Sequence, residues 1–174
     1  VIRVPSLKGI GITSDADIAF YGKMLFNYQM YGMLIGGIFW GILGDKKGRL
    51  SVLFGSIFLY STANVLNGMI TSVEQYKILR FIAGFGLAGE LGAGITLVSE
   101  SISKEKRGYG STIIASVGVI GAVVASAFSH KFDWRINYYI GGAMGFALLI
   151  MRIGVAESGM YKQLAQKEKV SKGN

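Results

Sequence analysis

The sequence contains no cysteine, one histidine and one proline in 174 residues. Without cysteine, the chain can form neither a disulfide nor a thiolate metal site. The histidine, His130, has Asp133 as its only nearby potential co-ligand, and two ligands on one turn are too few to hold a metal. No arrangement of nucleophile, base and acid is present either. The sequence therefore predicts no enzyme, no metal and no other cofactor.

Charged residues are also scarce, at 16% of the chain, and they are predominantly basic, which gives a net charge of +8. Such a charge would suit nucleic acid if the bases shared one face with interleaved aromatic residues. They lie instead between apolar segments, as positively charged cytoplasmic loops of membrane proteins do. We therefore exclude nucleic acid as a partner and expect the lipid bilayer in its place.

Long apolar segments are abundant, and hydrophobic residues make up 51% of the chain. Each segment is long enough to cross a hydrocarbon layer of about 30 Å as a helix. The sequence predicts an all-α, polytopic integral membrane protein with five transmembrane helices, at about 17–43, 49–69, 76–99, 109–129 and 134–155. We expect residues 1–12 to form an external loop segment, 13–156 a transmembrane helical bundle and 157–174 a cytoplasmic linker.

The basic residues predict how the helices are oriented in the membrane. If the five segments alternate in direction, the side that carries more lysine and arginine is cytoplasmic. The N-terminus is then external and the C-terminus cytoplasmic, in a plasma or bacterial inner membrane. The richer side has Lys46, Lys47, Arg49, Lys104, Lys106, Arg107, Lys162, Lys167, Lys169 and Lys172; the poorer side has Arg3, Lys8, Lys77, Lys131 and Arg135.

The short link between the first two predicted helices contains the pattern Gly41-x-x-x-Asp45-x-x-Gly48-Arg49. Glycines permit a tight reversal of the chain, and the basic residues favour the cytoplasmic face. The pattern resembles the loop signature between the second and third membrane helices of the major facilitator superfamily (MFS) of transporters. The resemblance maps the five predicted helices onto helices two to six of the MFS, within its N-terminal six-helix half.

A second pattern, Arg80-x-x-x-Gly84-x-Gly86-x-x-Gly89, lies in the third predicted helix. It resembles the arginine and glycine signature of the fourth MFS helix, whose arginine is associated in the family with proton coupling. In a simpler interpretation, Arg80 lies about one helical turn inside the outer membrane surface, and its side chain extends to that surface. The glycines also match the dinucleotide fingerprint G-x-G-x-x-G, but that motif follows a β-strand and opens a helix. Within an apolar segment, close helix packing explains them better.

Glu90 lies near the middle of the same predicted helix. An ionised carboxylate at that depth costs about 2.5–3.5 kcal/mol, so it should face a partner or an aqueous cavity, or bind a proton and become neutral. We interpret Glu90, together with Arg80, as a substrate- or proton-coupling residue. The alternative is a structural hydrogen bond from a protonated Glu90 to a neighbouring helix.

Two further charged patterns flank the predicted cytoplasmic links. Glu100 followed by Arg107-Gly108 is similar to the loop between helices four and five in the sugar-porter and metabolite/proton symporter branches of the MFS. Glu157-Ser158-Gly159 is similar to their Glu-Ser-Pro motif, with glycine in place of proline. Ordinary surface ion pairs, each worth under about 1 kcal/mol, are the alternative. The resemblance implies a cytoplasmic gate that comprises Gly41, Asp45, Gly48, Arg49, Glu100, Arg107 and Glu157.

The resemblance implies part of a secondary active transporter that moves a small polar metabolite, an organic acid or a sugar, by proton-coupled alternating access. Its partners would be the small-molecule substrate, protons and the remaining transporter helices, namely the first helix and the C-terminal half. We therefore expect a piece of a longer protein, in which Asn27, Tyr28 and Tyr31 are further candidates for substrate contact. The alternatives are a non-transporting membrane scaffold or receptor built on a truncated MFS half, and a half-transporter that dimerises.

Overall fold

The computed structural model describes residues 2–101, 107–129 and 131–172, except for the side chains of residues 97–101, 107, 111, 114, 128 and 155–172. Within these ranges the chain forms helices and no β-strand, so the all-α prediction is confirmed. The helices are α1 (Arg3–Gly9), α2 (Asp15–Lys47), α3 (Arg49–Asn67), α4 (Val73–Ser101), α5 (Arg107–Ser129) and α6 (Trp134–Lys172).

Four of the described helices are long and apolar enough to cross a membrane, which makes this a polytopic membrane protein. The fifth predicted span coincides with α2, which is less apolar because Lys23, Asn27 and Gln29 interrupt it. With 33 residues, α2 is about 50 Å long and has the length to cross. That it crosses remains a prediction. The four apolar spans are Arg49–Asn67, Val73–Thr96, Gly108–Ala127 and Trp134–Gly154.

Local sequence explains where α2 begins and ends. Ser14 occupies the N-cap with extended backbone angles but makes no capping hydrogen bond through its side chain. Asp15 and Asp17 instead place negative charge in the first turn, where the helix dipole favours it. At the other end, Gly48 alone separates α2 from α3, at a φ of +85° that residues with a side chain rarely adopt.

Helical structure extends beyond the predicted limits in several places, including the C-terminal end of α2, which ends at Lys47 rather than at Leu43. Helix α1 lies in the segment expected to be a loop, and its Leu7 is fully buried. Helix α4 begins earlier because the Gln75 side chain accepts a hydrogen bond of 3.0 Å from the Thr71 amide and so supports an additional first turn. Helix α6 continues through the predicted linker to Lys172, where glutamine, leucine, alanine, lysine and glutamate all favour a helix.

The helices pack in the order α2–α4–α3–α6, with more limited contacts from α5 to α4 and α6. Two buried clusters lie at opposite ends of this bundle. Trp40, Val52, Leu53 and Ala93 pack beside the turn between α2 and α3, which we call the loop end. At the opposite end, which we call the α1 end, the cluster consists of Leu7, Ile18, Leu25, Ile70, Tyr76, Trp134 and Tyr138.

Candidate functional site

Glycines bring α2 and α4 into backbone contact. A methyl group at Gly32 would collide with the carbonyl of Phe81, and a methyl group at Gly84 would collide with the carbonyl of Gln29. Because a backbone carbonyl cannot move without its helix, both positions require the small residue. The contact fixes Gln29 of α2 beside the turn of α4 that carries Arg80.

The other glycines of the apparent dinucleotide fingerprint also serve packing, as predicted. A methyl group at Gly86 would meet the Tyr60 amide at 2.8 Å, and one at Gly89 would meet the Trp40 ring at 2.7 Å. Both lie well inside α4, so they form helix contacts and no phosphate-binding turn. Gly37 of α2 differs, because an added methyl group there would have no described atom within 4 Å.

Arg80 is held by side chains from three helices at the α1 end. Its Nη2 donates to the hydroxyl of Tyr138 on α6 and, at 3.4 Å, to the hydroxyl of Tyr76 one turn earlier on α4. Its Nη1 lies 3.5 Å from the Gln29 side-chain oxygen. The guanidinium also lies over both rings, 5.3 Å from the Tyr76 centroid and 5.1 Å from the Tyr138 centroid, which adds cation–π attraction.

A buried hydrogen-bond chain connects this cluster to α1. The Tyr76 and Tyr138 hydroxyls are 2.6 Å apart, and the Ser6 hydroxyl lies 2.9 Å from that of Tyr76. Ser6 also donates to the Arg3 carbonyl at 2.9 Å. Because Ser6 and Tyr76 are both fully buried, their polar groups depend on one another for hydrogen bonds. The position of α1 is thereby connected to that of Arg80.

Arg80 faces a cavity of about 390 Å³ between α1, α2, α4 and α5. Its other polar lining comes from Arg3, Gln29, Ser126 and Ser129, and its apolar lining includes Phe26 and Met30. The Arg80 Nε is buried without a hydrogen-bond partner. The cavity therefore combines positive charge, unsatisfied donor capacity and an apolar wall.

Glu90 lies on the same helix as Arg80 but farther toward the loop end, about 15 Å along the axis. It is partly buried, and the guanidinium of Arg152 on α6 interacts with it electrostatically. The sequence analysis missed Arg152, because this residue belongs to none of the motifs that drew attention to Arg80 and the basic residues of the links. A second basic residue within an apolar span, at a depth in α6 that matches the depth of Glu90 in α4, was the available signal.

The three candidates on α2 do not join the Arg80 cluster. Asn27 lines an adjoining groove of about 790 Å³ along α1 and α2, which shares Arg3 and Phe26 with the Arg80 cavity. The Tyr28 ring lies 5.7 Å from the Lys77 ammonium group, and Tyr31 is 57% exposed. Their role in substrate contact stays a prediction, whereas Gln29, on the neighbouring face of α2, is the residue that reaches Arg80.

The predicted gate residues of the first link lie together at the loop end. Gly41, Asp45 and Arg49 line one cavity of about 220 Å³, which α4 closes on its other side. Asp45 is exposed and Arg49 is partly exposed. Gly48 supplies the turn between their helices through its positive φ. The side chains of the other gate candidates, Glu100, Arg107 and Glu157, lie outside the described residues.

Metal binding has no support in the part of the chain that the structure describes, where no three histidine or acidic side chains cluster.

The chain is similar in sequence to several known proteins. NiaP of Bacillus subtilis is 30% identical over 151 residues, 84% of the chain and 38% of the relative. The sialic acid transporter NanX of Escherichia coli is 30% identical over 153 residues, 86% of the chain and 36% of the relative.

A third relative, the niacin transporter NiaP of Acinetobacter baylyi, is 33% identical over 131 residues, 73% of the chain and 30% of the relative. The chain thus spans between 30 and 38% of the length of these relatives. The family described as Major Facilitator Superfamily matches residues 8–172, nearly the whole chain, and it is a family of transporters rather than enzymes. This match shows that the chain belongs to the Major Facilitator Superfamily.

Proposed function

We propose that the chain is part of a secondary active transporter that moves a small polar metabolite, an organic acid or a sugar, across a cell membrane by alternating access. The observation that carries this proposal is the family match over residues 8–172. Two relatives are named as transporters of sialic acid and of niacin, and both compounds are small polar metabolites. The activity is proposed for the complete protein, since the chain spans only part of each relative.

Proton coupling is the second element of the proposal, and Glu90 is its centre. A carboxylate within a membrane span is costly when ionised and unpaired. The positive charge of Arg152 favours the ionised form of Glu90, whereas binding a proton converts Glu90 to its neutral form. A group with two accessible charge states can accept a proton on one side of the membrane and release it on the other. Arg80 acts in coupling or in substrate contact.

The loop end is the cytoplasmic gate in this proposal. Asp45 and Arg49 share the cavity between α2, α3 and α4, so a change in their contacts accompanies any separation of these helices. Glu100, Arg107 and Glu157 would complete the gate on the same side. The N-terminus of the chain then lies outside the cell and its C-terminus in the cytoplasm, as the distribution of basic residues indicates.

The proposal is tested with the complete protein, purified and reconstituted into liposomes. Uptake of labelled organic acids and sugars is measured with an inward proton gradient and again after a protonophore is added. We expect saturable uptake of at least one compound, and we expect the protonophore to abolish its accumulation. Folded protein that binds a compound but transports none would contradict transport and would favour the scaffold or receptor. Accumulation that persists with the protonophore would contradict proton coupling but would leave the transport proposal intact.

A further inference from the structure

Two guanidinium groups face the cavity at the α1 end. Arg3 of α1 and Arg80 of α4 both line it, and none of its described lining residues is acidic. Two positive charges in one cavity repel each other unless an anion lies between them. The cavity therefore has the electrostatic character of an anion site.

Neutral groups hold both guanidiniums, so their charge is available to a ligand. Arg3 donates from Nη1 to the Gly22 carbonyl at 3.0 Å and lies 5.4 Å from the centre of the Phe26 ring. The partners of Arg80 are phenols and an amide, and its Nε is buried without a hydrogen-bond partner. An arginine presents five N–H donors, so each residue retains N–H groups that can donate hydrogen bonds to a carboxylate.

The rest of the lining separates an organic acid from an inorganic anion. Phe26, Met30 and Ala122 form an apolar wall, while the Ser126 and Ser129 positions on α5 add hydroxyl-bearing residues. At about 390 Å³, the cavity falls within the range of small-molecule sites, about 300–1,000 Å³. Phosphate would leave the apolar wall uncovered, and a neutral sugar would leave both guanidiniums without a counter-charge.

We propose that this cavity binds the carboxylate of an organic acid through Arg3 and Arg80. The inference rests on the proposed transport function and narrows its substrate class from small polar metabolites to organic acids. The carboxylate lies between the two guanidiniums, and the organic portion packs against Phe26 and Met30. A planar guanidinium binds a carboxylate through paired hydrogen bonds, so a lysine in either position would bind less well.

The test uses the complete protein in lipid nanodiscs and matched pairs of probes: benzoate and benzamide, nicotinate and nicotinamide, gluconate and glucose, with inorganic phosphate as a further probe. Dissociation constants are measured by calorimetry. We expect at least one carboxylate to bind about tenfold or more tightly than its neutral counterpart, and phosphate to bind more weakly than that carboxylate. If no carboxylate binds better than its counterpart, or if phosphate binds best, the proposal is overturned.

Substitutions then locate the site. Arg3→Gln and Arg80→Gln should each weaken binding of the preferred carboxylate about 10- to 150-fold, the effect of losing a charged hydrogen bond. Arg135→Gln is the matched control, because Arg135 lies at the same end, over the Trp134 ring at 4.7 Å, and does not line the cavity. Unchanged affinity in the folded Arg3→Gln and Arg80→Gln proteins would refute the assignment.

The same measurements separate this inference from the proposed function. If the carboxylate binds through Arg3 and Arg80 but liposomes show no uptake of it, the anion site stands and the transport proposal fails. If liposomes accumulate a neutral sugar and the arginine substitutions leave that uptake unchanged, transport stands and the organic-acid assignment fails.

Discussion

Arg80 shows how single residues are positioned in this protein. Its guanidinium lies among Tyr76, Tyr138 and Gln29, so its side chain remains within the bundle, where α2, α4 and α6 converge. The positions of those partners depend in turn on backbone contacts at glycines. Gly32 and Gly84 allow α2 and α4 to approach so closely that no side chain fits between them. The close approach at these glycines therefore brings Gln29 of α2 within reach of Arg80 on α4.

The backbone contact predicts a clear difference between two glycines of the same helix. Gly32→Ala should destabilise the protein by about 1–3 kcal/mol, because the added methyl group forces α2 away from the Phe81 carbonyl. Gly37→Ala should leave stability unchanged or slightly raised, because its methyl group meets no described atom within 4 Å and alanine favours a helix. Thermal unfolding of both variants in detergent checks the prediction. Equal melting temperatures would show that the α2–α4 contact is looser than described.

Which functional residues could be predicted depended on whether their signal is local. Arg80 and Glu90 stand out because a charged residue within an apolar segment is visible in the sequence itself. Tyr138 did not stand out, because its importance depends on which face of α6 meets α4, and no spacing within either helix specifies that. Arg152 is also a charged residue within an apolar segment, but its electrostatic interaction with Glu90 depends on how α6 packs in the bundle. Gln29 was visible only as one of several polar residues on α2.

At the scale of helices, the chain contrasts buried and exposed apolar surfaces. Helix α3 is the most enclosed of the four apolar spans, with 44% of its apolar stretch buried. In α5 only 6% of the apolar stretch is buried. The side chains that α5 exposes include Ile113, Val117 and Ile120, and apolar side chains of this kind suit lipid or further helices. The existence and order of the long helices could be predicted from apolar length alone. The short helix α1 could not, because its burial depends on α2 and α6.

The alternation of the helices predicts which links are accessible from outside the cell. Cysteines introduced at Ser72 and Ser129 should react with an impermeant thiol reagent added to intact cells, and a cysteine at Ser103 should not. The complete protein is labelled after the substitutions, and this segment contributes no cysteine of its own. Permeabilised cells provide the control, since all three positions should then react. Labelling of the Ser103→Cys protein from outside would reverse the assigned orientation.

The described bundle has polar sites at two different levels. The α1 end holds the Arg80 cluster and its cavity, and the loop end holds Asp45 and Arg49. Glu90 and Arg152 lie between these two levels, on helices that run in the same direction. Alternating access requires a site and a gate that respond to each other. In the proposed transporter, Glu90 and Arg152 lie between the two. The sequence could predict the charged residues at these levels, but not the side chains from other helices that lie beside them, such as Tyr138.

The gate predicts a shift in the conformational equilibrium of the complete protein. Asp45→Asn should favour the inward-open state, because it removes a negative charge from the cavity that Arg49 also lines. Spin-label distances across the cytoplasmic face should then shift toward longer values. Asp15→Asn is the control, since it removes the same charge at the opposite end of α2. An unchanged distance distribution together with normal transport would show that Asp45 has no part in the gate.

Whether Glu90 couples substrate movement to protons is tested by comparing uphill uptake with exchange in liposomes that contain the complete protein. Glu90→Gln should abolish accumulation driven by a proton gradient, while exchange of substrate across the membrane continues, because the amide resembles the protonated acid. Glu74→Gln is the matched control, since Glu74 is an exposed carboxylate on the same helix, paired with Lys77 at 2.5 Å. If the Glu90→Gln protein still concentrates substrate as the wild type does, with the same dependence on pH, Glu90 is not the coupling group.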